Sequence, residues 1–92
     1  MINETRKKIL NRFRRIEGQM RGLEKLVEND APCINILTQI SAVTAAVKSA
    51  GTEVIRIYLE QCLLETTGKP EEERKMKMEE FQNALTQYIK MA

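Results

Sequence analysis

Two cysteines are the residues best able to do chemistry in this chain of 92 residues, which contains no histidine. Thiolates attack other sulfur atoms and bind soft metal ions such as Cu(I). The lack of imidazole excludes histidine-based catalysis, a histidine-containing zinc site and an imidazole pH switch. The candidate chemistry is therefore thiol redox chemistry or Cu(I) binding at Cys33 and Cys62. We expect no enzyme activity and no other cofactor.

The two thiols have different sequence surroundings. Cys33 follows the segment Asn29–Pro32 at the start of a predicted helix, where unpaired N–H groups and the helix dipole stabilise a thiolate. Cys62 lies late in the same helix, near Glu60 and Glu65, where a thiolate is less favoured. We therefore predict that Cys33 attacks first and that Cys62 resolves the product. The alternative is that both cysteines are small, inert core residues.

The spacing of the cysteines predicts that they pair between chains. Their separation of 29 residues is eight helical turns plus roughly 20°, and roughly 43 Å along the helix. On one straight helix they share a face but cannot meet. In an antiparallel pair of identical helices with its two-fold axis between Val47 and Lys48, Cys33 of one chain faces Cys62 of the other. The small residues near that axis suit a close helix crossing, so we predict an antiparallel homodimer.

Three amphipathic helices position these residues, and no segment has the pattern of a strand. They are predicted over about residues 3–28, over about residues 31–66 and from residue 70 onwards. Asn29 or Asp30 is expected to cap the second helix, with Pro32 in its first turn. The fold class is therefore all-α, and we expect one domain over residues 1–92.

Composition and length point to a small helical protein that associates with copies of itself. Hydrophobic residues make up 42% of the chain, charged residues 30% and aromatic residues 4%. A second helix about 50 Å long exceeds what a monomer of this size can cover, which favours an oligomer. No apolar run approaches the roughly 20 residues of a membrane span, and the first residues lack a signal-peptide core. We expect a cytoplasmic protein with reduced thiols.

A basic segment on the first helix predicts contact with double-stranded DNA. Six basic residues fall within ten positions that contain no acidic residue, although the net charge of the chain is only +2. Such a surface suits phosphate contacts, and symmetry multiplies it in an oligomer. The alternative is a solvated helix face. The candidate DNA-binding residues are Lys7, Lys8, Arg12, Arg14, Arg15, Arg21 and, near the proposed two-fold axis, Lys48.

The segment Asn11–Gly22, with the sequence NRFRRIEGQMRG, resembles the opening signature of the copper-sensing repressor superfamily, the CsoR/RcnR/FrmR group. The resemblance continues through Pro32 and Cys33, residues 38–43 and residues 60–62, and so covers nearly the whole chain. It implies a disc-shaped homotetramer, a dimer of antiparallel dimers with four-helix-bundle cores. It also implies a repressor that leaves its operator when an inducer reaches the cysteine site.

Within that superfamily, the cysteine site most resembles the CstR branch of persulfide sensors. The copper sensors use a cysteine, then a histidine, then a second cysteine four residues after the histidine. Cys33 and Cys62 match the two cysteines, whereas the histidine position holds Tyr58, a poor ligand for Cu(I). The nickel, cobalt and formaldehyde sensors need other residues, including histidines, that this chain lacks.

The sequence therefore predicts a repressor that binds operator DNA when reduced and senses reactive sulfur. Release would follow when Cys33 and the Cys62 of another protomer react with persulfide to form disulfide or polysulfide links between subunits. Three alternatives stay open. The same two thiolates could bind Cu(I) as the inducer, they could sense peroxide or an electrophile, or the chain could be a helical assembly protein with no role on DNA.

Overall fold

Three α-helices make up the fold, as the sequence predicts. The structure, a computed structural model, describes residues 3–91, apart from the side chains at positions 63, 66 and 91. The helices are α1 (Asn3–Glu28), α2 (Cys33–Thr66) and α3 (Glu71–Met91). No strand occurs among residues 3–91. The predicted all-α class with three helices is confirmed.

The connection between α1 and α2 differs from the prediction. Asp30 does not cap α2 but ends α1, with a φ of 53° in the left-handed region that aspartate tolerates better than most residues. The Ala31 N–H donates to the Leu26 carbonyl at 2.9 Å and the Asp30 N–H donates to the Val27 carbonyl at 3.2 Å. This is the Schellman arrangement that satisfies the last carbonyls of a helix. The second helix therefore begins at Cys33, about two residues later than predicted.

The connection between α2 and α3 follows the prediction more closely. Gly68 has a φ of 79°, the left-handed conformation that glycine adopts without steric cost after a helix. The Pro70 carbonyl accepts a hydrogen bond from the Arg74 N–H at 3.2 Å and so opens α3. Three glutamates occupy the first turn of α3, where the helix dipole favours negative charge.

The chain divides into two compact units, with the boundary inside α2. The first, Met1–Ile55, contains α1 and the first part of α2, and its most buried side chains are aliphatic: Ile9, Val43 and Ala50. The second, Arg56–Ala92, contains the end of α2 and all of α3, and its buried residues are Ile57 and Cys62. Few of the described side chains are buried in either unit, as expected for a short chain on its own.

An apolar groove remains open in the first unit. It has a volume of about 510 Å³ and runs between α1 and α2. Apolar side chains dominate its lining, and several are substantially exposed in the single chain, including Val27 at 60%. Exposed apolar surface on this scale is typical of a surface that another chain covers. The groove is lined by Met20, Leu23, Glu24, Val27, Glu28, Ile36 and Ile40.

In the described part of the chain, none of the three helices has an apolar stretch of the length that a membrane span requires.

Candidate functional site

Cys33 is the first residue of α2 and its side chain is exposed. The Pro32 carbonyl accepts hydrogen bonds from the N–H groups of Asn35 at 2.9 Å and Ile36 at 3.3 Å, so Pro32 is the capping residue. The N–H groups of Cys33 and Ile34 precede these bonds and have no carbonyl acceptor within the helix. Among residues 3–91, no side chain forms a hydrogen bond or disulfide with Cys33. A reagent in solution can reach this sulfur in the single chain.

The face of α2 that carries Cys33 is apolar and uncovered. Ile40, Val47 and Val54 follow Cys33 at steps of seven residues, which places all four side chains along one stripe of the helix. Their exposed fractions are 43%, 47% and 37%. A heptad row of exposed aliphatic residues is the pattern of a helix that packs on a partner helix. The stripe that begins at Cys33 therefore has the character of an interface between chains.

Cys62 lies in different surroundings, in the second unit. Only 8% of its surface is exposed. Tyr58, one turn earlier on α2, stacks its ring on Phe81 of α3, with ring centroids 5.1 Å apart and planes 6° apart. Such stacking adds to the packing between two helices. Tyr58, which the sequence resemblance places at the histidine position of the copper sensors, thus takes part in a ring contact.

An ion pair joins α2 and α3 near Cys62. Lys77 Nζ donates to Glu65 Oε2 at 3.3 Å. The hydrogen bond and the charge of Glu65 raise the pKa of Lys77 above its ordinary value of 10.5; partial desolvation opposes this, and Tyr58 and Cys62 add smaller effects that raise it. The ammonium group therefore lies within electrostatic reach of the Cys62 sulfur.

The donor set around the thiols fits a soft ion better than zinc. Among the described residues, no group of three or more Cys, Asp or Glu side chains is placed to hold a metal ion, and the chain has no histidine. A typical zinc site needs four ligands, whereas Cu(I) accepts two thiolates. One thiolate from each of two chains could supply those two ligands.

The predicted DNA-binding residues of α1 are all exposed, and they form two rows. At about 100° per residue, Lys8, Arg12 and Arg15 fall within about 60° of arc beside the buried face of α1. The other three, Lys7, Arg14 and Arg21, fall on the side of α1 away from that face. Within residues 3–91, Arg14 Nη1 is 3.5 Å from Asn11 Oδ1, and Lys7, Lys8, Arg15 and Arg21 form no ion pair or hydrogen bond. Their charge is available to an anionic partner.

One residue of the row beside the buried face contacts α2. Arg12 Nη1 donates a hydrogen bond of 2.9 Å to Ser49 Oγ, across 37 residues of sequence. Lys48, the predicted basic residue of α2, is the neighbour of Ser49 and is exposed. The structure thus brings Arg12 and α2 together near the position that the cysteine spacing predicts for a two-fold axis.

Three contacts of these sites lie beyond the sequence prediction. Ser49 is one of the small residues near the predicted helix crossing, and its hydroxyl gives no sequence signal for an arginine partner. Phe81 is an aromatic residue of α3, and its spacing indicates no ring partner. Lys77 has no pattern that pairs it with Glu65. Each contact depends on how two helices pack, which residue spacing along one helix does not determine.

Comparison with known proteins gives consistent matches. The family model described as "Metal-sensitive transcriptional repressor" matches residues 5–87. The copper-sensing transcriptional repressor CsoR of Bacillus subtilis is 47% identical over 55 residues, which are 60% of this chain and 54% of that protein. That match thus spans about half the length of the curated relative.

Solved structures match over nearly the whole chain. The copper-sensing repressor CsoR with Cu(I) from Geobacillus thermodenitrificans has a TM-score of 0.86 and 31% identity, covering 97% of this chain and 91% of that one. A variant of the formaldehyde-responsive regulator FrmR from Salmonella enterica serovar Typhimurium has a TM-score of 0.85 and 36% identity, covering 95% and 97%. The predicted superfamily resemblance is confirmed.

Proposed function

The chain belongs to the family of metal-sensitive transcriptional repressors, and from that premise we propose that it is a thiol-based repressor that binds operator DNA when reduced. Release follows when Cys33 of one protomer and Cys62 of another become linked through sulfur. Residues 1–92 act as one sensor and DNA-binding domain in this proposal, since the family match spans both compact units. The thiols are consumed stoichiometrically, so the protein is not an enzyme. It works in the reducing cytoplasm, where the thiols stay reduced until a donor arrives.

The composition of the sensor site carries the proposal. The site offers two thiols, and the chain contains no histidine. Tyr58, at the position of the copper sensors' histidine, supplies a phenol oxygen that suits Cu(I) poorly, and its ring is stacked on Phe81. Two sulfur atoms are all that a disulfide or polysulfide link requires. The donor set is therefore complete for sulfur chemistry but lacks an imidazole ligand for copper.

The different exposure of the thiols supports an order of reaction. The exposed Cys33 thiolate attacks the sulfane sulfur of a low-molecular-weight persulfide. Cys33 becomes a persulfide, and the remainder of the donor leaves as a thiol. The Cys62 thiolate of a second protomer then attacks the inner sulfur of that persulfide and expels hydrosulfide. Two thiols are oxidised to a disulfide and one sulfane sulfur is reduced to sulfide. If Cys62 also acquires a sulfane sulfur first, the same step gives a trisulfide.

The uncovered apolar surface supports the proposed assembly. The stripe of Cys33, Ile40, Val47 and Val54 gives an antiparallel partner helix a surface to pack on, and places Cys33 at one end of that contact. We propose a homotetramer built from two such dimers. Each protomer adds its basic α1 surface, so the assembly presents repeated positive charge to a DNA duplex.

The matched relatives favour a second candidate inducer, Cu(I). The Bacillus subtilis relative is a copper-sensing repressor, and the Geobacillus structure is of a copper-sensing repressor with Cu(I). Thiolates of Cys33 and Cys62 from two protomers suit this soft ion. In this alternative the metal, rather than a covalent sulfur bridge, joins the two protomers and releases the DNA.

Intact mass measurement combined with DNA binding tests the proposal. The reduced full-length protein is treated with inorganic polysulfide, and its mass is recorded without reductant. We expect masses of two chains joined by a disulfide or through whole added sulfur atoms, together with loss of binding to a duplex from upstream of the gene. Cys62→Ala should retain sulfur on Cys33 without joining two chains, whereas Cys33→Ala should do neither.

Other outcomes of these measurements would favour the alternative functions. Tight, stoichiometric Cu(I) binding that releases DNA, with no release by polysulfide, would replace the sulfur proposal with the copper one. Joined chains without added sulfur after peroxide alone, and no reaction with polysulfide, would indicate a peroxide sensor. Absence of binding to any promoter-length duplex would favour an assembly protein. Normal cross-linking of Cys33→Ala would reverse the roles of the two thiols.

A further inference from the structure

A hydrogen bond between two exposed side chains joins α1 to α2 within the first unit. Arg12 Nη1 donates to Ser49 Oγ at 2.9 Å. A guanidinium carries five N–H donors, so this bond leaves four others, and the serine hydroxyl still has its own proton to donate. The pair therefore presents several donors to solvent.

Nothing on the described chain neutralises this arginine. Among residues 3–91, no carboxylate forms an ion pair with Arg12, and its hydrogen bond goes to a neutral hydroxyl. Fixed N–H and O–H donors with net positive charge suit a phosphate oxygen, and arginine binds phosphate with two parallel hydrogen bonds.

We propose that Arg12 and Ser49 form one phosphate-binding site on the DNA-facing surface, in which Ser49 orients Arg12 and donates its own hydroxyl proton to the same phosphodiester. This inference rests on the proposed DNA-binding function and names a contact within it. The hydrogen bond restricts the arginine side chain before DNA arrives, so less conformational entropy is lost on binding.

The site also makes α2 part of the DNA interface. Its two residues lie on different helices, and α2 begins at the proposed sensing thiol, Cys33. A shift of α2 against α1 would separate Ser49 from Arg12 and break the site without changing any charge. This provides a short physical route from a change at α2 to a change in DNA affinity.

Ser49→Ala in the full-length protein tests the inference. Binding to a promoter-length duplex from upstream of the gene is measured over a series of salt concentrations. We expect about three- to tenfold weaker binding, the effect of losing hydrogen bonds of this kind. The dependence on salt should be unchanged, because no charge is lost. Ser41→Ala is the matched control, since the Ser41 hydroxyl bonds to the Leu37 carbonyl of its own helix, and it should bind like the unmodified protein.

A second variant tests whether Ser49 acts on DNA binding together with Arg12 or independently of it. Arg12→Gln should weaken binding and reduce the salt slope by about one. Adding Ser49→Ala to Arg12→Gln should then cause little further loss, because the two residues act as a unit. Equal losses from Ser49→Ala in both backgrounds, or no loss in either, would overturn the inference while leaving the proposed function intact. Failure of the unmodified protein to bind any duplex would overturn both.

Discussion

The two cysteines of this chain lie in contrasting surroundings on the same helix. Cys33 is exposed at the first residue of α2, on an uncovered apolar stripe. Cys62 is buried near the other end of α2, beside the Tyr58–Phe81 stack and the Glu65–Lys77 ion pair. The contrast favours different roles for the two thiols in the reaction with the inducer. A thiol that meets the inducer must be reachable, whereas a thiol that completes a link benefits from a fixed position.

The largest expected difference is in thiol reactivity. In the native, reduced protein we expect an alkylating reagent to modify Cys33 at least about tenfold faster than Cys62, because a buried group must first be exposed by local opening. Mass spectrometry of peptides after timed quenching measures both rates in one sample. The same reagent in denaturant should modify both thiols at similar rates. Equal rates in the native protein would remove the basis for assigning Cys33 as the attacking residue.

Replacement of each cysteine by serine should lower the free energy of unfolding by different amounts at the two sites. Cys62→Ser places a hydroxyl at a position that is 8% exposed, and we expect a loss of about 1–3 kcal/mol in the free energy of unfolding. Cys33→Ser is the matched control at an exposed position and should change it by no more than about 0.5 kcal/mol. Urea denaturation at equal protein concentration measures both. A larger loss for Cys33→Ser would indicate that the partner chain buries Cys33 more completely than its own chain buries Cys62.

Part of this contrast could be predicted from residue order alone. The amphipathic patterns predict the three helices, and a cysteine directly after Pro32 is correctly expected in the first turn of α2. The start of α2 differs from the prediction because Asp30 adopts a left-handed conformation and ends α1 instead of capping α2. That conformation is favourable only together with the Schellman hydrogen bonds to Leu26 and Val27, and the sequence carries no glycine to indicate it.

The surroundings of Cys62 could not be predicted in the same way. Its low exposure and the ring stack of Tyr58 on Phe81 arise from packing between α2 and α3. The periodicity of each helix identifies an apolar face but does not specify which residues of two faces meet. The same reason applies to Arg12 and Ser49, which are 37 residues apart. Chemistry-bearing residue types could therefore be identified from the sequence, and their cross-helix partners could not.

Removal of the ring stack should alter the Cys62 site more than the Cys33 site. In Phe81→Leu the apolar volume is largely kept but the stack on Tyr58 is lost, and we expect a cost of about 0.5–1.5 kcal/mol. Alkylation of Cys62 should become faster while that of Cys33 stays the same. Phe13→Leu, the same substitution on α1 at a side chain 41% exposed, should leave the Cys62 rate unchanged. No change at Cys62 in Phe81→Leu would show that the stack does not protect that thiol.

The smallest expected effect concerns the ion pair near Cys62, and it changes with pH only in the range where Lys77 loses its proton. Glu65 raises the pKa of Lys77 in the folded protein above 10.5. The folded chain therefore holds this proton more tightly than the unfolded chain. The resulting stabilisation is fully present below the ordinary pKa and is lost as the pH rises through the folded pKa. Lys77→Gln should consequently be slightly less stable than the unmodified protein at neutral pH, and the difference should shrink above about pH 10.5.

Arg56→Gln is the control for that measurement. It removes the Arg56–Glu60 pair, with a distance of 2.7 Å between Nη1 and Oε1 on the same part of α2. Arginine stays protonated throughout this pH range, so the difference between Arg56→Gln and the unmodified protein should not change as Lys77 titrates. Thermal melts of the three proteins from neutral pH to above pH 10.5 make the comparison. A Lys77→Gln difference that stays constant across this range would mean that Glu65 does not hold the lysine proton in solution. The Glu65–Lys77 pair would then contribute nothing to the order of the Cys62 site.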